Sequence, residues 1–438
     1  MKDHVEKRRR LPSALKHRDF ALLWAASLTM GLGSQMAGVI IGWQVYDIRQ
    51  SAFDLGLIGL AGFVPLPLLA LPAGHLADRF PRRLVFAGAL MLNLAVMAAL
   101  VAVTLVGATR LWPFVALAAA SGVANAIGSP AARALPPTLV PSELLPGAMA
   151  LRTMGLQVAT VAGPALGGFI FYVRPELPYV VASALMVAAL ACTLALRSPS
   201  ARTRASVGGS PDWNSLLAGV AFVRRTPVLL GAISLDLFAV LFGGQVALAP
   251  LFARSILHVG TGGLGLLRAA PAVGAIVAGV MLARRPAMRR AGRVLFMVVA
   301  AFGASMIVFG LSRSFPLSLA ALAVSGFVDM ISMNIRATTG ALATPNELRG
   351  RVNAVEMVFI SASNQLGAFE SGAAAALLGA VPAVVAGGAL TIALAAVWPP
   401  LFPALARIDR LEDLRPKPAG DQLAVVLSEA TAPPVEGL

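Results

Sequence analysis

Charge is what this sequence has least of. Asp, Glu, Lys and Arg make up 13% of its 438 residues, 58% are hydrophobic, and the mean hydropathy is +0.81. Soluble domains carry about a quarter charged residues, so a soluble fold of this size is excluded. Lysine occurs only at Lys2, Lys7, Lys16 and Lys417, and no Gly-x-x-x-x-Gly-Lys loop is present, which leaves nothing to cradle ATP. A single cysteine, Cys192, cannot form an internal disulfide and reads as a small packing residue. The four histidines, His4, His17, His75 and His258, lack ligand-like spacing, so neither a metal site nor a cofactor is expected.

Long uncharged runs are abundant instead. A bilayer-crossing helix needs about 20 apolar residues. The runs 20–46, 55–77, 84–109, 111–132 and 177–196 each qualify. The 36-residue run 371–406 is too long for one helix and should turn near 379–382. The expected spans are 20–47, 54–77, 84–107, 111–134, 147–173 and 177–197, then 228–252, 262–283, 294–312, 315–338, 351–376 and 381–404. Pro65, Pro67 and Pro72 predict a bent second span. Residues 1–19 read as a charged tail without a cleavable signal, since the first apolar run is too long for one. Residues 198–227 read as a polar linker followed by an amphipathic helix over 213–225. Residues 406–438 read as a charged, Pro-rich tail that is disordered from 407 onward.

The net charge of +15 has a topological explanation. With the N-terminus in the cytoplasm, 29 of the 35 Lys and Arg fall on the cytoplasmic side. Five (Arg49, Arg110, Arg174, Arg254 and Arg313) fall outside, and Arg268 lies within a span. That asymmetry sets both termini in the cytoplasm and removes the reason to invoke nucleic acid.

The chain also repeats itself. Pro141-Ser142-Glu143-Leu144 is echoed by Pro345-Asn346-Glu347-Leu348, and the segment from Gly163 to Gly168 by that from Gly367 to Gly372, both at an offset of 204 residues. The expected fold is therefore all-α and membrane-embedded, with twelve transmembrane helices in two pseudo-symmetric six-helix bundles, 20–197 and 228–405. Duplicated helix bundles are a recurrent solution for moving a solute by alternating access.

Between the second and third spans lies Gly74-His75-Leu76-Ala77-Asp78-Arg79-Phe80-Pro81-Arg82-Arg83. It resembles the signature loop of the major facilitator superfamily, and the resemblance covers about residues 15–405. The run 15–33, Asp78-Arg79 and the segment 136–152 are most similar to the drug-exporter branch that holds the macrolide and enterobactin exporters. Physically the loop can act as a conformational latch, built on Gly74, Asp78, Arg79, Arg82 and Arg83. A merely positive-inside loop would explain the arginines but not Gly74 with Asp78. In the second half Ala283 stands at the Asp78 position, so the latch is expected to be lost there. Gly163-Pro164-Ala165-Leu166-Gly167-Gly168 resembles the superfamily's exporter motif, with Ala159 replacing a usual glycine. Gly163, Gly167 and Gly168 permit close helix contact and Pro164 bends the helix; ordinary tight packing is the alternative.

Ionisable residues inside spans are functional candidates by default. Arg133 and Arg152 lie near the cytoplasmic edge of the first half. The second half holds Asp236, Arg268, Asp329, Arg336, Glu356 and Glu370. Asp236 and Asp329 are expected nearest the midplane, Asp329 and Arg336 share a helix face, and Arg268 is expected to pair with Glu370. Two readings remain open for these carboxylates, proton coupling or fixed ion pairs with Arg268 and Arg336. The combined reading is a secondary transporter, not an enzyme. It exports small amphiphilic molecules, drug-like or siderophore, from a bacterial inner membrane, with proton antiport and a monomeric state implied by the resemblance. Proton-coupled uptake is the alternative. A non-transporting sensor and a lipid-modifying enzyme are remoter, since no output domain and no nucleophile–base pair is evident.

Overall fold

The structure, a computed structural model, describes residues 13–197, 213–284, 289–345, 348–410 and 414. The long helices are α1 (Arg18–Arg49), α2 (Ala52–Phe63), α3 (Pro65–Arg79), α4 (Arg82–Leu105), α5 (Trp112–Ala134), α6 (Leu145–Val173) and α7 (Leu177–Leu194). They continue with α8 (Trp213–Arg225), α9 (Pro227–Gly243), α10 (Gly260–Arg284), α11 (Ala291–Leu311), α12 (Phe315–Ala343), α13 (Arg349–Leu378) and α14 (Ala380–Leu401). Eleven stretches among the described residues are long and apolar enough to cross a membrane. The thirty-residue α13 is not among them, because Glu356, Asn364, Gln365 and Glu370 lower its hydropathy. The count of eleven plus this polar helix accounts for the twelve expected spans.

The punctuation of the helices follows its residues. The second span is interrupted at Val64, where Pro65 and Pro67 begin α3 and Pro72 sits inside it. Gly379, at φ 89°, closes α13 and opens α14 in a backbone conformation that L side chains rarely adopt. The seventh span is less regular than expected. Helix α9 stops at Gly243, and a 3₁₀ turn (Gln245–Leu248) and a π-helical turn (Phe252–Ile256) carry the chain on.

Two termini differ from expectation. A 3₁₀ turn, Ser13–Lys16, precedes α1 and seats Ala14 against Phe20, Val140 and Ala148. The C-terminal stretch expected to be disordered from Arg407 is held at its start: Ala291 N–H donates to Asp409 O (3.1 Å) and Gly292 N–H to Ile408 O (3.1 Å). The polar linker 198–210 and nearly all of the C-terminal tail beyond 410 lie outside the described residues.

Contacts group the chain into two compact units: residues 1–50, 61–210 and 260–269, and residues 51–60, 211–259 and 270–438. In the first, α1 packs along α6 and α7, and α4 packs between α5 and α7. Its core includes a buried polar chain. Tyr179 donates its hydroxyl to Gln44 Oε1 (2.6 Å), and Gln44 Nε2 donates to Thr104 Oγ1 (3.1 Å). Away from water such groups must satisfy one another.

In the second unit, α11 packs against α12 and α14, α9 against α13 and α14, and the amphipathic α8 against α13. Phe222 and Val223 of α8 are buried with Leu229, Leu348, Val352 and Val355, while Arg224 and Arg225 are exposed. The α11–α14 contact is backbone to backbone at Gly303 and Gly388. A β-carbon on either would stand 2.6 Å from the other's carbonyl oxygen. Such overpacking costs about 1–3 kcal/mol or more. Gly388→Ala should therefore lower the melting temperature of the detergent-purified protein markedly. Gly147→Ala, which meets nothing within 4 Å, should leave it nearly unchanged.

Candidate functional site

The repeated Gly motifs are contact surfaces. A β-carbon on Gly163 of α6 would lie 2.6 Å from Gln35 Cβ of α1, and one on Gly167 3.2 Å from Met36 Cα. Gly168 faces the Thr261 carbonyl in the first turn of α10, and a β-carbon on Gly265 would stand 2.6 Å from Pro164 O. In the echo, a β-carbon on Gly367 would lie 2.7 Å from Val240 O of α9, and one on Gly372 2.7 Å from Ala52 O of α2. Met36 and Val240 are themselves 204 residues apart, so the duplication extends from the letters to the contacts. The departure at Ala159 is matched on the partner helix, where Gly31 supplies the missing room.

The α3–α4 junction holds neighbouring helix ends. Arg82 Nη1 donates to Ala134 O, the last residue of α5 (3.2 Å), and Arg83 Nη2 donates to Leu194 O, the last of α7. Cations are favoured at helix C-termini, where carbonyls are unpaired and the helix dipole is negative. Arg79 is exposed, and the surroundings of Gly74 and the side chain of Asp78 lie outside what is described. The pairing expected for Asp78 therefore has no counterpart among the described contacts.

Three carboxylates of the second unit gather around Arg336 of α12. One end of its guanidinium is in an ion pair with Asp236 Oδ2 of α9; the other is 4.0 Å from Asp329 Oδ1, seven residues earlier on α12. Arg336 and Asp236 are buried, with side chains 8% and 10% exposed, whereas that of Asp329 is 52% exposed. Its carboxylate is the more exposed of the two that face Arg336.

Two small cavities flank the buried pair, and Asp236 lines both. One, of about 10 Å³, is shared with Arg336, Gly340, Glu356 and Phe359; the other, of about 20 Å³, with Asp329, Ser332 and Phe302. Each is near the size that holds a single water. Glu356 Oε2 lies 3.9 Å from where a Gly340 β-carbon would stand, which places it one turn along α12 from Arg336. Asp236, Asp329, Arg336 and Glu356 are thus brought together. Glu370 lies half-buried fourteen residues further along α13, in the second unit, while Arg268 groups with the first. Arg268 Nε is buried without a hydrogen-bond partner. Sequence reasoning missed Ser332, Gly340 and Phe359. Ser332 and Gly340 lie four residues either side of Arg336 on one helix face, a spacing that could have flagged them.

This arrangement belongs to a membrane transporter of the major facilitator superfamily. Within it, the chain belongs to the family described as "Transmembrane secretion effector", whose profile matches residues 12–427. It is 25% identical over 369 residues to the multidrug efflux pump Tap of Mycolicibacterium fortuitum, covering 82% of this chain and 89% of that one. It is 27% identical over 357 residues to the enterobactin exporter EntS of Citrobacter koseri, covering 77% and 80%. Among solved structures, a bacterial homologue of the human lysosomal transporter Spinster matches with a TM-score of 0.69 at 15% identity, covering 92% and 99%. A bacterial homologue of the iron transporter ferroportin matches with 0.66 at 16% identity, covering 89% and 99%.

The Arg336 cluster makes a stability prediction that separates its two acids. Removing one partner of a buried pair leaves an uncompensated charge, typically costing about 3–5 kcal/mol. Asp236→Asn should lower thermal stability strongly, and Asp236→Asn combined with Arg336→Gln should recover much of the loss. Asp329→Asn, at a longer distance and half-exposed, should change it little. Equal losses for the two single variants would show that both acids hold the arginine alike.

Proposed function

We propose that this chain exports small amphiphilic organic molecules, drug-like compounds or siderophores, across a bacterial inner membrane by proton antiport. The observation that carries the proposal is the arrangement around Arg336, where one guanidinium faces a buried carboxylate and a more exposed one. A proton arriving at Asp329 neutralises the looser partner and frees one face of Arg336; its departure restores the contact. Glu356, which lines the 10 Å³ cavity with Asp236 and Arg336, offers a further proton acceptor beside the buried pair. The exporter names of Tap and EntS support the outward direction.

In this reading, 20–197 and 228–405 act as two six-helix bundles of a monomer that rock about a central solute site, with both termini in the cytoplasm. The α3–α4 loop sets the conformational balance, because Arg82 and Arg83 must release the ends of α5 and α7 when the helices shift. Asp78→Asn should slow turnover in proteoliposomes with little loss of substrate binding.

A deletion strain screened against toxic compounds and siderophores identifies the solute by growth. In everted vesicles energised by a pH gradient, that solute should accumulate with the wild-type chain and fail to accumulate with Asp329→Asn, while gradient-free exchange persists. Full accumulation by Asp329→Asn would remove the proton role. Accumulation in right-side-out but not in everted vesicles would favour uptake instead.

A further inference from the structure

We infer that the junction between α11 and α14 is a binding site for the phosphate headgroup of an anionic phospholipid. A cavity of about 600 Å³ opens there, lined by Arg290, Arg293 and Arg407. Phe296, Pro399 and Ile408 supply apolar walls. One acid, Asp409, also lines it, but its Oδ1 already accepts the Arg290 backbone N–H (3.2 Å).

The backbone draws positive charge together here. Arg289 and Arg410 face each other across an isolated antiparallel bridge, and both are exposed. Like charges directly opposite one another are destabilising in such a pairing, and an anion between them reverses the sign. Arg290, between the bridge and α11, adopts the left-handed conformation (φ 58°, ψ 41°), which β-carbons disfavour. The bridge, the Asp409 contact and the two hydrogen bonds from Ala291 and Gly292 hold that geometry. Five arginines are thereby fixed within two short segments.

The apolar side of the site indicates a lipid rather than a free anion. Met297, one turn beyond Arg293 on α11, is 62% exposed; Val397 and Leu401 of α14 are 53% and 60% exposed. These residues continue from the arginines into the span, where an acyl chain can lie. On the orientation proposed above, this end of both helices is at the cytoplasmic surface. Anionic headgroups concentrate there and basic pockets between helices capture them.

The test uses the full chain in nanodiscs of phosphatidylcholine doped with phosphatidylglycerol, with retained lipid counted by mass spectrometry after detergent extraction. The wild-type chain should retain phosphatidylglycerol preferentially. Combining Arg290→Gln, Arg293→Gln and Arg407→Gln should lower that retention at least about tenfold. Unchanged retention overturns the proposal. So does displacement of the lipid by inorganic phosphate, which would make the ligand a free anion. Should the triple variant fail to fold, photoactivatable phosphatidylglycerol is applied to the unsubstituted chain. Labelling of peptides spanning 290–297 and 397–409 supports the site, and labelling only elsewhere refutes it.

Discussion

A guanidinium buried among apolar helices is costly without an anion beside it. Transferring an isolated charge into such surroundings costs several kcal/mol even after relaxation. Arg336 meets that requirement with Asp236, and the requirement ties α9 to α12 at one point. The remaining geometry follows from it. Asp329 lies on the same helix at a longer distance, and Glu356 of α13 lines a cavity with both members of the pair. An arginine with one fixed and one looser partner can respond to a proton without losing its burial, which a single tight pair cannot do.

The two halves divide the labour between packing and charge. Both use glycines to bring a helix against its partner's backbone, Gly163 and Gly167 on α1 and Gly367 on α9. At the 204-residue offset, the positions of Asp236, Asp329 and Arg336 correspond to Leu32, Asn125 and Ala132 in the first half. The duplicated scaffold is retained while the ionisable cluster is confined to the second copy. Helix packing in lipid rests on small residues and close contact, which a neutral copy supplies as well as a charged one.

Much of the scaffold could be read from the chain because bilayer constraints act locally. Apolar run length located the spans, Gly379 located the turn inside the long run, and the amphipathic pattern located α8 at Trp213–Arg225. The pairing of Arg336 with an acid was visible as an alternative, and helix periodicity put Asp329 on its face. What periodicity could not supply was the partner from another helix. Asp236 is one hundred residues away in sequence, and only tertiary packing decides that it, rather than Asp329, takes the buried position. Likewise Arg82 and Arg83 were legible as basic residues of the signature loop, but not that their partners are the carbonyls of Ala134 and Leu194, since every residue carries a carbonyl. The irregular end of the seventh span was also hidden, because Gly243 and Gly244 in an apolar run read equally well as helix or break.

The central claim is that the Arg336 cluster couples proton movement to solute movement in the opposite direction. Internal pH of proteoliposomes, read with a trapped dye at clamped membrane potential while a gradient of the solute is imposed, tests it most directly. The account predicts proton movement against the solute flow, absent when Asp329 is neutralised. Solute flow with no proton movement, or with protons moving in the same direction, would contradict it.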